Sequence, residues 1–135
     1  MSNRESLAQI ARRWVSLWQA PIDWRLFDQL HADYFEDCSA AGRGSTKQAF
    51  GSGIEALVGA FPDLQTVAED VVVDESTARV AIRWTAIGTN RGAYLGVGPT
   101  HRKTTITGIE IIEIVRGQVV RRWGEWDISS HVKRE

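Results

Sequence analysis

Cysteine occurs once in this chain, at Cys38, so no internal disulfide can form. Histidine occurs three times, at His31, His101 and His131, too widely spaced for a Cys/His metal cluster. Cationic excess is missing too. The 16 Lys and Arg against 17 Asp and Glu leave a formal charge of −1, with no basic footprint for nucleic acid. No apolar run approaches the ~20 residues that span a bilayer. The opening "MSNRESLAQIARRW" is amphipathic and carries no signal-peptide core. These absences predict a cytoplasmic protein with no metal site, no nucleic-acid partner and no membrane partner. Proline is scarce as well, and two of the 3, Pro21 and Pro62, fall where helical patterns end.

What is present points to a packed domain. The 135 residues suit one domain, 1–135, with a real core. A hydrophobic share of 43% against 24% charged is that of a globular chain. The oddity is 6 tryptophans: Trp14, Trp18, Trp24, Trp84, Trp123 and Trp126. Each needs a large slot and a partner for its N–H. Their number suggests a large interior lined with aromatic rings.

Ser2-Asn3-Arg4-Glu5 has capping-box form, and Leu7, Ile10, Ala11, Trp14, Leu17 and Trp18 follow at helical spacing. Asp23 can cap a short second helix with Trp24, Phe27 and Leu30 inward. "HADYFEDCSAAGRG" reads as a short strand entering a glycine loop. Ser45-Thr46-Lys47-Gln48 is a second capping-box pattern, opening a helix that carries Phe50, Ile54, Leu57, Val58 and Phe61. After Pro62 the period changes to 2. Strand patterns run through "LQTVAEDVVVDE", "TARVAIRWTAIGTN", "KTTITGIEIIEIV" and "QVVRRWGEWDIS". "RGAYLGVGPTHR" is a loop, and Arg116-Gly117 a two-residue hairpin turn. Helices first and an antiparallel meander after them predict an α+β fold with a pocket on the concave side of its sheet.

From Phe61 to Asp127 the chain resembles the SnoaL-like polyketide cyclase family of the NTF2-like superfamily. The resemblance rests on Phe61-Pro62-Asp63-Leu64, Val80 to Thr85, Gly88-Thr89, Gly92, Leu95-Gly96, Pro99-Thr100, Gly108-Ile109, the Gly117 turn and Trp123…Asp127. His31-Ala32-Asp33-Tyr34 and the first helix match more loosely. The resemblance implies a cone-shaped α+β barrel, with N-terminal helices packed on a strongly curved, mostly antiparallel sheet that encloses a pocket. It also implies a hydrophobic small-molecule ligand, aromatic or polycyclic, and a homodimer through the outer face of the sheet. The family's cyclases use no cofactor. An aspartate near the end of the last strand acts as acid/base, supported by a histidine on the strand before. Counted without gaps from Pro99-Thr100, that aspartate falls on Gly124 and that histidine on Glu110.

Three carboxylates are therefore the catalytic candidates. Glu110, set among Ile109, Ile111 and Ile112, is either a desolvated general base or a wall acid paired to an arginine. Glu125 and Asp127 share a face with Trp123 in regular alternation, opposite Gly124 and Trp126. A bulge at Gly124 would turn Glu125 inward; otherwise the two acids form an exposed strand end, with Asp127 beside Arg121 or Arg122. Trp14, Trp18, Tyr34, Phe50, Phe61, Trp84, Trp123 and Trp126 are candidates for the ligand pocket, each with core packing as the competing role. Three functions stay open: cofactor-independent aldol or isomerase chemistry, a non-catalytic binding or dimerisation module, and an epoxide-hydrolase- or ketosteroid-isomerase-like enzyme built on convergent acids.

Overall fold

The computed structural model describes residues 2–39 and 44–128. Part of the glycine loop after the first strand, and the tail "HVKRE" with His131, lie outside the described residues.

Helix α1 (Asn3–Val15) begins with the predicted capping box: the Ser2 hydroxyl accepts from the Glu5 backbone, and the Glu5 carboxylate accepts from the Ser2 backbone. Its buried residues, Leu7, Ala11, Trp14 and Val15, form one stripe. Asp23 caps α2 (Trp24–Leu30). The chain then passes into β1 (His31–Asp37). Helix α3 (Lys47–Ala60) is capped by Thr46, one residue later than the capping-box pattern predicts. The reason is local. The Ser45 carbonyl is engaged by the Asp37 backbone N–H at 2.8 Å, which holds Ser45 against the end of β1 and passes the cap to its neighbour.

Four long strands follow: β2 (Gln65–Asp74), β3 (Arg79–Thr89), β4 (Lys103–Val115) and β5 (Gln118–Asp127). Arg116 and Gly117 both have positive φ, the twist that a tight hairpin turn between β4 and β5 requires. The sheet order is β1-β5-β4-β3-β2, with β1 parallel to β5 and the other pairs antiparallel. The α+β architecture is as predicted, but the curved sheet is not closed: β1 and β2 remain its edges. On β3 the side chains of Val80, Ile82, Trp84 and Ala86 are buried while Arg79, Arg83 and Ile87 are exposed, the alternation read from the sequence. The inner residues of β3, β4 and β5 pack against α1 and α3 in one core.

No helix among the described residues is long and apolar enough to cross a membrane.

Candidate functional site: a buried Asp37–Arg122–Glu110 chain beside an aromatic cavity

Glu110 lies mid-strand on β4 and is wholly buried. In register it stands between Ile82 of β3 and Gly124 of β5. Its Oε1 accepts from Nε and Nη2 of Arg122, at 3.0 and 2.6 Å. Its Oε2 accepts from the indole N–H groups of Trp84, at 3.1 Å, and Trp126, at 2.6 Å. Arg122 also donates from Nη1 to Asp37 Oδ1 at 2.9 Å. The parallel pairing of β1 with β5 sets Asp37 opposite Arg122, so sheet register alone brings these two charges together. All three charged side chains are almost fully removed from solvent.

Two glycines make the arrangement sterically possible. Gly108 is flanked in register by Trp84 on β3 and Trp126 on β5. A Cβ at Gly108 would lie 2.7 Å from Trp84 Cε2, so its absence lets that indole lie across β4 and reach Glu110. The Trp84 and Trp126 rings then meet edge to face at 5.2 Å. A Cβ at Gly124 would lie 2.6 Å from the Glu110 carboxyl carbon and would also collide with Arg122 Nη2. The Glu110–Arg122 pair occupies the space a side chain at position 124 would need.

Burial pushes the Glu110 carboxyl up, while the Arg122 charge and hydrogen bonds, then the Trp126 and Trp84 N–H groups, pull it back; the balance stays raised. Burial works against the Arg122 charge, but Glu110 and Asp37 outweigh it and hold the guanidinium protonated. All four bonds to Glu110 come from groups that can only donate. A proton on Glu110 would break one of them, so this bonding pattern is that of a carboxylate. Its desolvation cost is offset by those bonds and by Arg122 lying 5.4 Å from the centre of the Phe50 ring.

A cavity of about 490 Å³ adjoins this chain of charges, walled chiefly by Trp18, Phe50, Ile54, Tyr94, Trp126 and Arg122. Glu110 and Asp37 stand behind Arg122 and are not part of the lining. A depression of about 410 Å³ on β2 and β3, bordered by Gln65, Val67 and Thr85, has no buried charge in its lining, which favours the aromatic cavity as the site.

The other candidates fall into three places. Trp18, Phe50 and Trp126 line the cavity, and Trp84 lies behind Trp126. Trp14 and Phe61 are wholly buried in the core. Trp14 stacks on Phe50 and donates its N–H to His31 Nε2 at 2.9 Å. Phe61 packs edge-on against Tyr94. Trp123 and Tyr34 face outward: Arg79 lies 4.8 Å over the Trp123 ring, and Tyr34 is 68% exposed. Register runs regularly through Gly124, and the irregularity in the β4–β5 pair falls between Glu113 and Ile114, near the turn. Glu125 and Asp127 therefore stay on the exposed side with Trp123. Glu125 touches the cavity rim, and both acids border a depression on the outer face. Arg121 pairs with Glu113 at 3.0 Å.

His31 is buried, with Nδ1 against the Phe27 carbonyl at 2.8 Å. Because Nε2 accepts from Trp14, the proton resides on Nδ1. Burial pushes its pKa down to about 4, helped by Lys47 and opposed by the Phe27 carbonyl and Asp28. His101 is an exposed loop residue with positive φ. Among the described residues, no group of three His, Cys, Asp or Glu is placed to hold a metal ion.

Asp37, Arg122 and Ser39, which lines the cavity and whose hydroxyl accepts from the Gly124 backbone at 3.0 Å, are the residues that sequence reasoning missed as site members. Arg122 had a signal: alternation backward from Trp126 through Gly124 places it on the inward face beside Glu110. Asp37 had none, because its position depends on the parallel β1–β5 pairing, which no local pattern encodes.

Comparison with known proteins sets this arrangement in a family. Among curated proteins no relative matches by sequence. Among solved structures, the SnoaL-like polyketide cyclase from Jannaschia Sp. CCS1 superposes with a TM-score of 0.83 at 18% identity, over 97% of this chain and 92% of that one. IdmH from Streptomyces antibioticus, described as a polyketide cyclase, gives 0.78 at 19% identity, over 93% and 97%. AclR from Streptomyces galilaeus, described as a hydroxylase, gives 0.79 at 23% identity, over 93% and 81%. At such identities these likenesses show the NTF2-like fold alone. The model of the SnoaL-like polyketide cyclases matches residues 8–133, and the chain belongs to that family.

Proposed function

We propose that this protein binds a hydrophobic, ring-containing small molecule, aromatic or polycyclic, in the cavity between Phe50 and Trp126. The observation that carries the reading is a half-enclosed aromatic cavity with a buried guanidinium in its wall. Such a pocket gains from burying flat apolar surface and has few polar groups to orient its guest. Membership of a family whose model is named for polyketide cyclases supports that ligand class. The chemistry implied by the resemblance has less support. Position 124 has no side chain, Glu110 is saturated with donors, and Glu125 and Asp127 lie on the exposed side. These features favour binding over aldol closure driven by a carboxylate. Titration with 1,8-dihydroxyanthraquinone, followed by tryptophan fluorescence, tests the reading. Saturable 1:1 quenching that weakens in Phe50→Ala supports it, and no saturable binding to any polycyclic aromatic probe contradicts it.

One observation favours a second, catalytic reading of the hydratase or epoxide-hydrolase kind: two buried acids, Glu110 and Asp37, converge on one arginine. For either acid to act, Arg122 must first move aside to admit water. Turnover of styrene oxide to its diol, abolished in Glu110→Gln, would support this reading. No turnover beside intact ligand binding would leave the binding function alone.

The resemblance implies a homodimer, and we propose one through the outer sheet face, where Val67, Ile109 and Ile111 are exposed. The protein is expected to act in the cytoplasm without cofactor or metal. Sedimentation at micromolar concentration tests the dimer; a monomer there contradicts it.

A further inference from the structure

Arg122 has five N–H groups, and three of them are committed: Nε–H and one Nη2–H to Glu110, and one Nη1–H to Asp37. One N–H on each terminal nitrogen has no acceptor among the described residues, although the side chain is only 2% exposed. Arg122 lines the cavity, and its Nη2 lies over Gly124, which lines it too. A buried donor without an acceptor costs about 1–3 kcal/mol, so these N–H groups call for a partner from within the cavity.

Ser39 stands at the same end. Its Oγ accepts the Gly124 backbone N–H, and its hydroxyl proton has no acceptor among the described residues. The indole N–H of Trp126 is spent on Glu110. This end of the cavity therefore holds three donor hydrogens without an acceptor among the described residues, two on Arg122 and one on Ser39. An oxygen that only accepts satisfies them without bringing a hydrogen that needs an acceptor of its own.

Charge separates the remaining classes. The guanidinium that offers the N–H groups already faces two buried carboxylates, Glu110 and Asp37. An anionic guest would bring a third negative charge to one cation in a desolvated place. A neutral carbonyl takes the same hydrogen bonds with no added charge.

We propose that Arg122 and Ser39 form a donor clamp for a neutral carbonyl oxygen, a ketone or quinone, and that this clamp discriminates against carboxylates of the same skeleton. The proposal rests on the cavity being the ligand site.

Three probes sharing one ring system test it: fluorene, 9-fluorenone and fluorene-9-carboxylate, which carry no oxygen, a neutral carbonyl and an anion at the same carbon. Calorimetric titration is expected to rank fluorenone above both others, by about fivefold or more over fluorene, in keeping with one or two hydrogen bonds. Ser39→Ala should shrink that preference several-fold, and this variant keeps Arg122 and its partners intact. Equal binding of fluorene and fluorenone would overturn the clamp and leave the cavity as the binding site. Tightest binding by the carboxylate would overturn it as well. Failure of all three probes to bind would overturn both the clamp and the cavity reading.

Discussion

The carboxyl group of Glu110 fills the space that a side chain at Gly124 would occupy across the β4–β5 pair. The two residues therefore form one steric unit. Where the family resemblance implies a histidine facing an aspartate, this chain has a long acid facing no side chain, with an arginine two residues away completing the charge balance.

That relationship predicts the response to restoring the aspartate. Gly124→Ala should destabilise by about 1–3 kcal/mol, as overpacking does. Gly124→Asp should cost more, since it sets a second carboxylate against Glu110. The double variant Glu110→His/Gly124→Asp should be less destabilised than the sum of its single changes, because the two sites share one space. Chemical denaturation of the parent, Gly124→Ala, Gly124→Asp, Glu110→His and the double variant checks this, and Gly124→Ala as stable as the parent would contradict it.

Arg122 is the counter-charge to buried Glu110, so Arg122→Met should destabilise by about 3–5 kcal/mol by leaving that carboxylate without it. Adding Glu110→Gln to that variant should recover part of the loss. A loss below about 1 kcal/mol in the single variant would contradict a buried Glu110–Arg122 ion pair.

His31 makes stability depend on pH in a definite direction. Its folded pKa, pushed down to about 4, lies below the ordinary value of 6.5. Between those values the unfolded chain binds a proton that the folded chain refuses. Stability is full above pH 6.5 and falls by about 1.4 kcal/mol per unit as pH drops toward 4, about 3 kcal/mol in all. Protonation would also set an N–H against that of Trp14. His31→Gln, whose side chain can still accept from Trp14, should lack this slope in denaturation curves between pH 4 and 7. An unchanged slope would assign it to other groups.

Residues on the outer face should be dispensable for the ligand. Glu125→Gln, Asp127→Asn and Tyr34→Phe are expected to leave dihydroxyanthraquinone affinity within about twofold, while Phe50→Ala and Trp126→Phe weaken it by about tenfold. Fluorescence titration of the five variants checks the contrast. A large loss in Asp127→Asn would return the site to the strand end.

Local patterns carried most of the architecture. The Ser2–Glu5 box, the Asp23 cap, the alternation on β3 and the Arg116-Gly117 turn are short-range signals, and the structure follows them. The candidate site was legible only in part. Glu110 stood out as a lone acid among isoleucines, and its competing role, a wall acid paired to an arginine, is the geometry found. Strand alternation already separated Trp126 from Trp123, Glu125 and Asp127. What it could not supply was Asp37, brought in by a pairing between strands 85 residues apart in its contact with Arg122. Nor could it show that both oxygens of Glu110 are taken up by Arg122 and two indoles, which depends on how Trp84 lies across Gly108.

The central claim is the location of the ligand, and the six indole N–H resonances report on it directly. Titrating ¹⁵N-labelled protein with 1,8-dihydroxyanthraquinone should shift the Trp18 and Trp126 signals to saturation together, with Trp84 following Trp126 through their shared carboxylate, while Trp24 and Trp123 stay in place. Saturating shifts at Trp123 or Trp24 with Trp126 unmoved would contradict the account.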